Sequence, residues 1–455
     1  MPIRKLLVAN RGEIAVRVIR AAQSLGIPTV QAHSSADAVS LAVQMADEAV
    51  EIGPPHAAKS YLNGAAIVAA AEHTGADAIH PGYGFLSENA AFAAAVETAG
   101  LTFVGPRSET IAMLGDKATA RSAAEAAGVP TVPGSDGTVT DAVAAADQAA
   151  AIGYPVMIKA AAGGGGRGIK VATAPEELAP LLQQAQTEAR AAFGDDGVYL
   201  EKLIERPRHV EVQVLGDGRD VVHCFERECS LQRRRQKVWE EAPSVALDAE
   251  IRVALCASAV DLARSVGYRG AGTLEFLYDD STDAYYFIEM NTRIQVEHPV
   301  TEMVTGIDLV AESLAIAGGK PLSLRQSDIR LDGHAIECRI NAEDPSNNFM
   351  PAPGHIAALS VPSGADIRFD SLLYEGYDVP PFYDSLLGKL IVKADSRDAA
   401  ISRIGEALAA LVIDGVKTTI PLHQALVRDA DVRAAKVHTQ FLEPWLEANP
   451  IPEQS

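Results

Sequence analysis

Two glutamates and an asparagine lie in neighbouring apolar segments with a spacing that suits a metal site. Glu275 lies in residues 272–278, Glu289 and Asn291 lie in residues 285–291, and the turn-forming sequence DDSTD begins right after the first segment. Thr282 in that turn is the midpoint between the glutamates, so a hairpin with this register sets them directly opposite, with Cβ atoms about 5 Å apart. Something must offset such repulsion, and carboxylate and amide oxygens suit Mg²⁺ or Mn²⁺. We therefore predict a metal site here, with a solvated charged hairpin face as the alternative.

Polar side chains continue at every second position beyond Asn291. Arg293, Gln295 and Glu297 have this spacing, and they share one face if the chain stays extended. The directed donors of Arg293 and Gln295 suit a small planar oxyanion, and Glu297 beside them suits a general base. The pattern predicts an anion clamp next to the metal, with a plain amphipathic strand as the alternative.

A glycine-rich loop separates two apolar segments in YPVMIKAAAGGGGRGIKV. Consecutive glycines let backbone N–H groups point into one concavity and let the chain approach a ligand closely. Lys159 and Arg167 add positive charge, so we predict polyphosphate binding, with a flexible hairpin tip as the alternative. The loop matches neither the Walker pattern nor GxGxxG. The GxG in residues 80–89 is too common a pattern to indicate a ligand, and it favours a structural loop.

Basic residues cluster between positions 227 and 237, although the chain as a whole has a net charge of −21. The cluster predicts charge compensation for ATP phosphates and a second anion. The alternative is a surface ion-pair network with the acidic residues on both sides, in which Arg235 pairs outward with Glu240 or Glu241. The cluster consists of Arg227, Arg233, Arg234, Arg235 and Lys237.

Three regions must position these residues. Residues 1–115 alternate short apolar runs with helical periodicity, which predicts an open parallel sheet of βαβ units. Residues 116–330 contain an Ala-rich helix, the glycine loop and strands with two-residue alternation. Residues 331–448 open with a strand and include a late helix. The predicted fold class is therefore α/β together with α+β.

Composition excludes several classes of protein. A chain of 455 residues with 39 basic and 60 acidic residues is not a general nucleic-acid binder. No apolar stretch reaches the length of a membrane span, and MPIRKLLVANRGE has no signal-peptide core. Four cysteines form no CxxC pair, so neither a disulfide framework nor a zinc site is indicated. We expect a cytoplasmic protein.

Several strings along nearly the whole chain resemble biotin carboxylase, the ATP-grasp component of biotin-dependent carboxylases. They include VANRGEIA, IHPGYGFLSEN, GGGGRGIKV, ERECSLQRR, GAGTLEF and the highly specific EMNTRIQVEHPVTE. The resemblance implies a Rossmann-like N-terminal domain at residues 1–115 and an ATP-grasp domain at residues 116–330. Residues 132–203 would form its mobile lid, and residues 331–448 a biotin carboxylase C-terminal domain.

The resemblance also implies roles for individual residues. Glu275 and Glu289 would hold the metal with Asn291 nearby, Glu297 would be the base, and Arg339 would contact the biotin ureido group. Bicarbonate would be held by Lys237, Arg293, Gln295 and Val296. The nucleotide would be bound by Lys117, Lys159, Gly164, Gly165, Gly166, Glu201, Lys202, His209, Gln232 and Arg235. Arg235 departs from the family, which usually has His or Asn at this position and directs it to the ribose.

The implied reaction is the first half-reaction of a carboxylase such as acetyl-CoA carboxylase of fatty acid biosynthesis. ATP, Mg²⁺ or Mn²⁺ and bicarbonate would yield carboxyphosphate, and biotin on a carrier protein would accept the carboxyl group. The chain contains no Met-Lys-Met, so the biotinylated lysine is expected on a partner. Carboxyltransferase subunits and a homodimer are further expectations, whereas nucleic-acid and membrane partners are not. The alternatives are an ATP-grasp ligase that joins an acylphosphate to an amine, and a non-catalytic ATP-binding subunit.

Overall fold

The structure is a computed structural model that describes residues 2–135, 137–139, 141–160, 169–193 and 196–453. The predicted phosphate-binding glycines Gly164, Gly165 and Gly166 lie outside the described residues. Within those residues, none of the helices combines the length and the apolar character that crossing a membrane requires.

The N-terminal region is built around a parallel sheet with strand order β3-β2-β1-β4-β5. Its central strand contributes Leu6, Leu7 and Val8, all fully buried, as expected where helices cover both faces of a parallel sheet. The predicted βαβ alternation is confirmed, and the structure adds one strand, β3, that the sequence pattern did not indicate. The elements are β1 (Leu6–Val8), α1 (Gly12–Ser24), β2 (Thr29–Ser34), α2 (Leu41–Met45), β3 (Glu48–Gly53), α3 (Gly64–Thr74), β4 (Ala78–His80), α4 (Ala90–Thr98), β5 (Thr102–Phe103) and α5 (Ser108–Gly115).

A smaller unit follows, with a three-stranded antiparallel sheet of order β7-β6-β8. It has an apolar cluster of its own, which includes Val156, Ile158, Leu178 and Leu200. This unit lies within residues 132–203, for which a mobile lid is predicted, and the movement stays a prediction. Its elements and the helix before it are α6 (Lys117–Ala126), α7 (Ala142–Ile152), β6 (Val156–Ala160), β7 (Lys170–Ala172), α8 (Pro175–Phe193) and β8 (Val198–Lys202).

One large antiparallel sheet then joins the second and third sequence regions, with strand order β13-β12-β9-β10-β11-β14-β19-β18. The strands β11 and β14 pair across the predicted boundary at residue 330, with Trp239 opposite Cys338. The elements in this part are β9 (Arg208–Asp217), β10 (Val221–Arg233), β11 (Gln236–Ala242), α9 (Ala249–Ser265), β12 (Arg269–Asp279), β13 (Ala284–Asn291), α10 (His298–Thr305), α11 (Leu309–Ala317), β14 (His334–Asn341), β15 (Glu343–Asp344), β16 (Met350–Pro351), β17 (Ala358–Ser360), β18 (Ile367–Ser371), β19 (Leu386–Ala394), α12 (Arg397–Ala410), β20 (Val412–Asp414), α13 (Ile420–Arg428), α14 (Ala430–Arg433) and α15 (Leu442–Ala448).

The two faces of this sheet have different chemistry. Along β14, Ile336, Cys338 and Ile340 belong to an apolar cluster that includes residues of α12. Because side chains alternate along a strand, Glu337 and Arg339 lie on the opposite face, where α10 packs against β14. The sheet therefore anchors one face in the core and presents the other to the candidate site.

Candidate active site

The predicted hairpin forms, but the predicted register holds only beyond a one-residue bulge at Ile288, because next to the turn Phe276 is opposite Phe287. In β12 and β13, Glu275 is directly opposite Glu289 and Thr273 is opposite Asn291. Burial, followed by the charge of Glu275, raises the pKa of Glu289. The repulsion expected from the sequence is therefore present, and two facing carboxylates with a nearby amide oxygen fit a hard divalent cation.

The chain does not continue as an extended strand beyond Asn291, as the anion-clamp prediction had assumed. Strand β13 ends there, and Glu297 stands at the start of α10 with φ −82° and ψ 9°. The side chains converge nevertheless: Arg293 Nη2 donates to Asn291 Oδ1 at 2.9 Å, and Arg293 Nη1 donates to Gln295 Oε1 at 2.6 Å. Gln295 Nε2 in turn donates to Glu275 Oε1 at 3.1 Å. A bend in the backbone thus produces the clustering that alternation alone had predicted.

Lys237 links the β12–β13 hairpin to the start of α10. Its Nζ donates to Glu275 Oε1 at 3.0 Å, to Glu297 Oε1 at 2.7 Å and to Glu211 Oε2 at 2.6 Å. Burial alone lowers the pKa of Lys237, but the charges of Glu211, Glu297 and Glu275 outweigh it and raise the pKa well above its ordinary value. The lysine therefore remains charged in the middle of the site.

Glu297 lies between two cations. Besides Lys237, it binds Arg339, whose Nη2 donates to Glu297 Oε2 at 2.9 Å while its Nε donates to Glu240 Oε1 at 2.6 Å. Burial and the charge of Glu211 raise the pKa of Glu297, but Lys237 and Arg339 overcome both, and the pKa lies below its ordinary value. The carboxylate is therefore ionised at neutral pH, and each of its oxygens accepts a hydrogen bond from a cation.

Glu211 is a central residue that the sequence analysis missed. It is fully buried and binds two cations, with Arg227 Nε at 2.6 Å and Lys237 Nζ at 2.6 Å. Arg227 is also fully buried and donates further hydrogen bonds to Gln213, Thr301 and Thr273. The prediction that the whole basic cluster compensates ATP phosphates is therefore wrong for Arg227, which supports Glu211 inside the sheet. The signal was a lone acid in the apolar alternation HVEVQV.

Arg233, Arg234 and Arg235 of the basic cluster lie at the tip of a hairpin. Arg234 and Arg235 make the two-residue turn between β10 and β11, with φ +48° and +67°, and Arg235 is exposed. The alternative in which Arg235 pairs with Glu240 or Glu241 is wrong, because both acids are buried and bind other cations. Glu240 accepts from Arg339, and Glu241 accepts from Arg397 and His334.

The predicted nucleotide residues divide between the two sheets. Lys159 and Glu201 form an ion pair across β6 and β8 of the small unit. Lys202 Nζ donates to the carbonyl oxygens of Gly153 and Tyr154, both at 2.9 Å. Lys117 is exposed at the first position of α6.

His209, Gln232 and Val296 lie on the large sheet or beside it. His209 Nε2 is 3.2 Å from Glu275 Oε2; burial lowers the pKa of the imidazole, but the Glu275 charge outweighs this and raises it to about 9. Gln232 is buried and donates to the carbonyl oxygen of Cys229 at 2.9 Å. The carbonyl oxygen of Val296 accepts a hydrogen bond from Lys389 at 2.7 Å.

Glu88 is a second residue that the sequence analysis missed. It comes from the loop of residues 80–89, which the sequence favoured as merely structural. Its carboxylate accepts from Arg293 Nε at 2.8 Å and from the backbone N–H of Thr292 at 3.1 Å. The N-terminal region therefore orients a guanidinium that also contacts Asn291 and Gln295.

Fold and site together define an ATP-grasp enzyme. A small sheet with its own core carries Lys159 and Lys202, and a large antiparallel sheet carries the paired carboxylates. Family models match the chain in three successive pieces: the biotin carboxylase N-terminal domain at residues 2–111, the ATP-binding domain of the carbamoyl-phosphate synthase L chain at residues 116–325, and the biotin carboxylase C-terminal domain at residues 337–444.

Individual relatives agree with these matches. Biotin carboxylase 1 of Bacillus subtilis is 54% identical over 444 residues, which cover 97% of this chain and 99% of the relative. The biotin carboxylase subunit of a pyruvate carboxylase superposes with a TM-score of 0.92 at 49% identity and covers 100% of both chains. A biotin carboxylase domain dimer of Hydrogenobacter thermophilus 2-oxoglutarate carboxylase, in complex with MgADP, ADP and bicarbonate, has a TM-score of 0.85 at 49% identity, with 98% of each chain covered. The chain belongs to the biotin carboxylase family, whose members are ATP-dependent ligases.

Proposed function

We propose that this chain carboxylates biotin with bicarbonate and ATP, through carboxyphosphate, and that the clustered residues divide the work between them. One observation carries the proposal: an unbroken series of contacts runs from a metal carboxylate to the arginine assigned to biotin. Glu275 binds Lys237 at 3.0 Å, Lys237 binds Glu297 at 2.7 Å, and Glu297 binds Arg339 at 2.9 Å. Groups for phosphate transfer, proton transfer and biotin thus lie in one continuous site.

Bicarbonate is held by Lys237, Arg293, Gln295 and Val296 in this proposal. Arg293 is planar and already oriented by Asn291 and Gln295, which suits a planar anion. Glu297 accepts the bicarbonate proton, so that an oxygen of the anion becomes a better nucleophile toward the γ-phosphate. Because the donors are in position before the substrate binds, little reorganisation is needed as charge develops.

Glu275 and Glu289 would hold Mg²⁺ or Mn²⁺, with Asn291 beside them. Bound there, the cation supplies charge neutralisation for the phosphate oxygens. Lys117, Lys159, Lys202 and His209 provide further positive charge for the nucleotide. Glu201, Gln232 and Arg235 complete the proposed nucleotide contacts.

Arg339 acts in the second step. Carboxyphosphate breaks down to CO₂ and phosphate, the phosphate takes the ureido N–H proton, and the ureido nitrogen attacks CO₂. The guanidinium of Arg339, anchored by Glu240 through Nε, offers positive charge to the ureido oxygen during this step. Closure of the small unit with Lys159 and Lys202 over the nucleotide would keep water from the carboxyphosphate. The separate apolar core of that unit supports movement as a body.

The remaining partners follow from the same reaction. We propose a biotin carrier protein or domain as carboxyl acceptor, a carboxyltransferase that consumes the carboxybiotin, and a homodimer. Relatives of similar sequence identity come from pyruvate and 2-oxoglutarate carboxylases. This supports a carboxyltransferase, rather than this chain, as the protein that selects the final acceptor of the carboxyl group. Acetyl-CoA is the first candidate for that acceptor. We also propose a cytoplasmic location, where ATP and bicarbonate are available.

Phosphate release and carboxybiotin formation test this function directly. Purified chain with MgATP and bicarbonate is expected to release phosphate faster when biotin is added, and to form carboxybiotin in proportion. Omission of bicarbonate is the matched control and should abolish the biotin-dependent rate. Ligation of an added amine, with no response to biotin, would show instead an ATP-grasp ligase of another specificity.

A further inference from the structure

Two carboxylates face each other behind Arg339, and neither belongs to the metal or bicarbonate groups. Glu240 in β11 and Glu337 in β14 are directly opposite in the antiparallel ladder, which places their Cβ atoms about 5 Å apart. Both residues are fully buried. The pair therefore carries two negative charges in a buried site unless a proton or a cation neutralises one of them.

Hydrogen bonding around the pair is incomplete. Glu240 Oε1 accepts from Arg339 Nε at 2.6 Å. Among the described residues, no donor reaches Glu240 Oε2 or either oxygen of Glu337. A buried ionised carboxylate without donors is strongly unfavourable, so the three bare oxygens need an explanation.

The cations that face Glu337 are already engaged elsewhere. Lys389 in β19 donates to the carbonyl oxygen of Val296 at 2.7 Å and lies 3.1 Å from Glu13 Oε1. Arg339, on the same strand as Glu337, binds Glu240 and Glu297.

The helix packed against this face adds no cation. At the start of α10 stand Glu297, which is ionised, and His298, whose pKa is lowered by burial and then by Lys389, so that its imidazole is neutral. Further along α10, Glu302 binds Arg17 and Arg368. No free positive charge in the described surroundings is left to balance a second anion in the pair.

We propose that Glu240 and Glu337 share a single proton, carried by Glu337 and donated to Glu240 Oε2, and that this pair positions Arg339. Two adjacent buried carboxylates do not both ionise. Glu240 takes the anionic role because an arginine binds it, and Glu337 takes the proton because it has no donor. One proton thereby turns two unpartnered atoms into a hydrogen bond. The direction of the titration agrees, since burial raises the pKa of Glu337 and raises that of Glu240 to about 7.

The pair has a consequence for the proposed biotin step, on which this part of the inference rests. With one proton on the pair, the single negative charge of Glu240 orients Arg339 through Nε. A terminal nitrogen of the guanidinium then stays hydrogen-bonded to Glu297. Loss of the proton at alkaline pH adds a second negative charge behind the guanidinium and weakens its attraction for the ureido oxygen. ATP cleavage in the absence of biotin does not use Arg339 in this way and should not share the effect.

Infrared spectroscopy tests the proton without any turnover. Glu337→Gln keeps the shape and the hydrogen-bond donor but cannot ionise. The spectrum of the wild-type protein minus that of Glu337→Gln at neutral pH is expected to contain one carboxylic-acid carbonyl band that shifts in D₂O. A difference spectrum without that band would overturn the shared proton, whatever the enzyme's substrate proves to be.

The pH profile tests the link to Arg339. The alkaline decline in kcat/KM for biotin is expected to move upward by at least one pH unit in Glu337→Gln, with the profile for biotin-independent ATP cleavage unchanged. Glu240→Gln, which removes the anion at Arg339, is expected to lower kcat/KM for biotin at least tenfold with the KM for ATP within about twofold. Wild-type biotin kinetics in Glu240→Gln would refute the positioning role.

Discussion

The proposed base can be removed with little structural loss. In Glu297→Gln one oxygen still accepts a hydrogen bond, while the new NH₂ group cannot accept from a cation. Lys237 would keep Glu211 and Glu275, at 2.6 and 3.0 Å, and Arg339 would keep Glu240 at 2.6 Å. Each cation therefore retains a carboxylate, and we expect a folded enzyme whose main defect is chemical.

The magnitude follows from the missing proton acceptor. Loss of a general base typically costs about 10²–10⁴-fold in rate, or roughly 3–5 kcal/mol of barrier. We expect the biotin-dependent kcat to fall within that range. The KM for ATP should stay within about threefold, because the Lys159–Glu201 pair and Lys202 in the small unit have no contact with Glu297.

Carboxybiotin formation and ADP release in the same reaction provide the assay. Glu312→Gln is a matched control. Among the described residues, the side chain of this acid on α11 accepts hydrogen bonds only from Ser323, so the kinetics of the variant should equal those of the wild type. A Glu297→Gln enzyme with wild-type kcat would remove Glu297 from the base role. A kcat loss matched by an equal loss of ATP affinity would indicate collapse of the site instead.

Three further predictions concern residues around the site. Arg235→Ala is expected to raise the KM for ATP by about tenfold and to change kcat much less, since a hydrogen bond from a charged donor contributes about 1.5–3 kcal/mol. Arg235→Asn controls for the turn, because asparagine suits the positive φ. An unchanged KM for ATP in the alanine variant would make Arg235 a turn residue only. Glu88→Gln should raise the KM for bicarbonate about two- to fivefold, as expected for a partly exposed ion pair with Arg293, and an equal rise in the KM for ATP would contradict a specific effect on the clamp. Arg397→Ala should lower the free energy of unfolding by about 3–5 kcal/mol in denaturant titrations, because it leaves Glu241 buried beside only neutral or weakly basic donors. Burial raises the pKa of Glu241, but His334 and Arg397 lower it to about 2. The stability that ionised Glu241 contributes is therefore complete above about pH 4.3 and should be lost as the pH falls toward 2. A difference in unfolding free energy between wild type and variant that does not change with pH would refute this.

Local sequence determined the features that depend on strand periodicity and turn position. The midpoint of the turn predicted Glu275 opposite Glu289, but the register next to the turn would by itself place Glu275 opposite Ile288. A one-residue bulge at Ile288, which the sequence pattern did not indicate, restores the predicted pairing. The parallel sheet of the N-terminal region was likewise predictable from alternating apolar runs. The specific strings that resemble biotin carboxylase added the family, which periodicity could not supply.

Tertiary structure decided which partner each charged residue takes. Glu88 meets Arg293 across 205 positions of sequence, and Glu240 meets Arg339 across 99. These contacts exist because β11 pairs with β14 in a sheet that crosses the predicted domain boundary, and because the loop of residues 80–89 packs at the end of β13. Composition had left Arg235 free to pair with Glu240 or Glu241, but burial of both acids inside the sheet commits them to other cations. A sequence records which charges are present, whereas their pairing depends on strand order and burial, which set the distances and the dielectric that decide between partners.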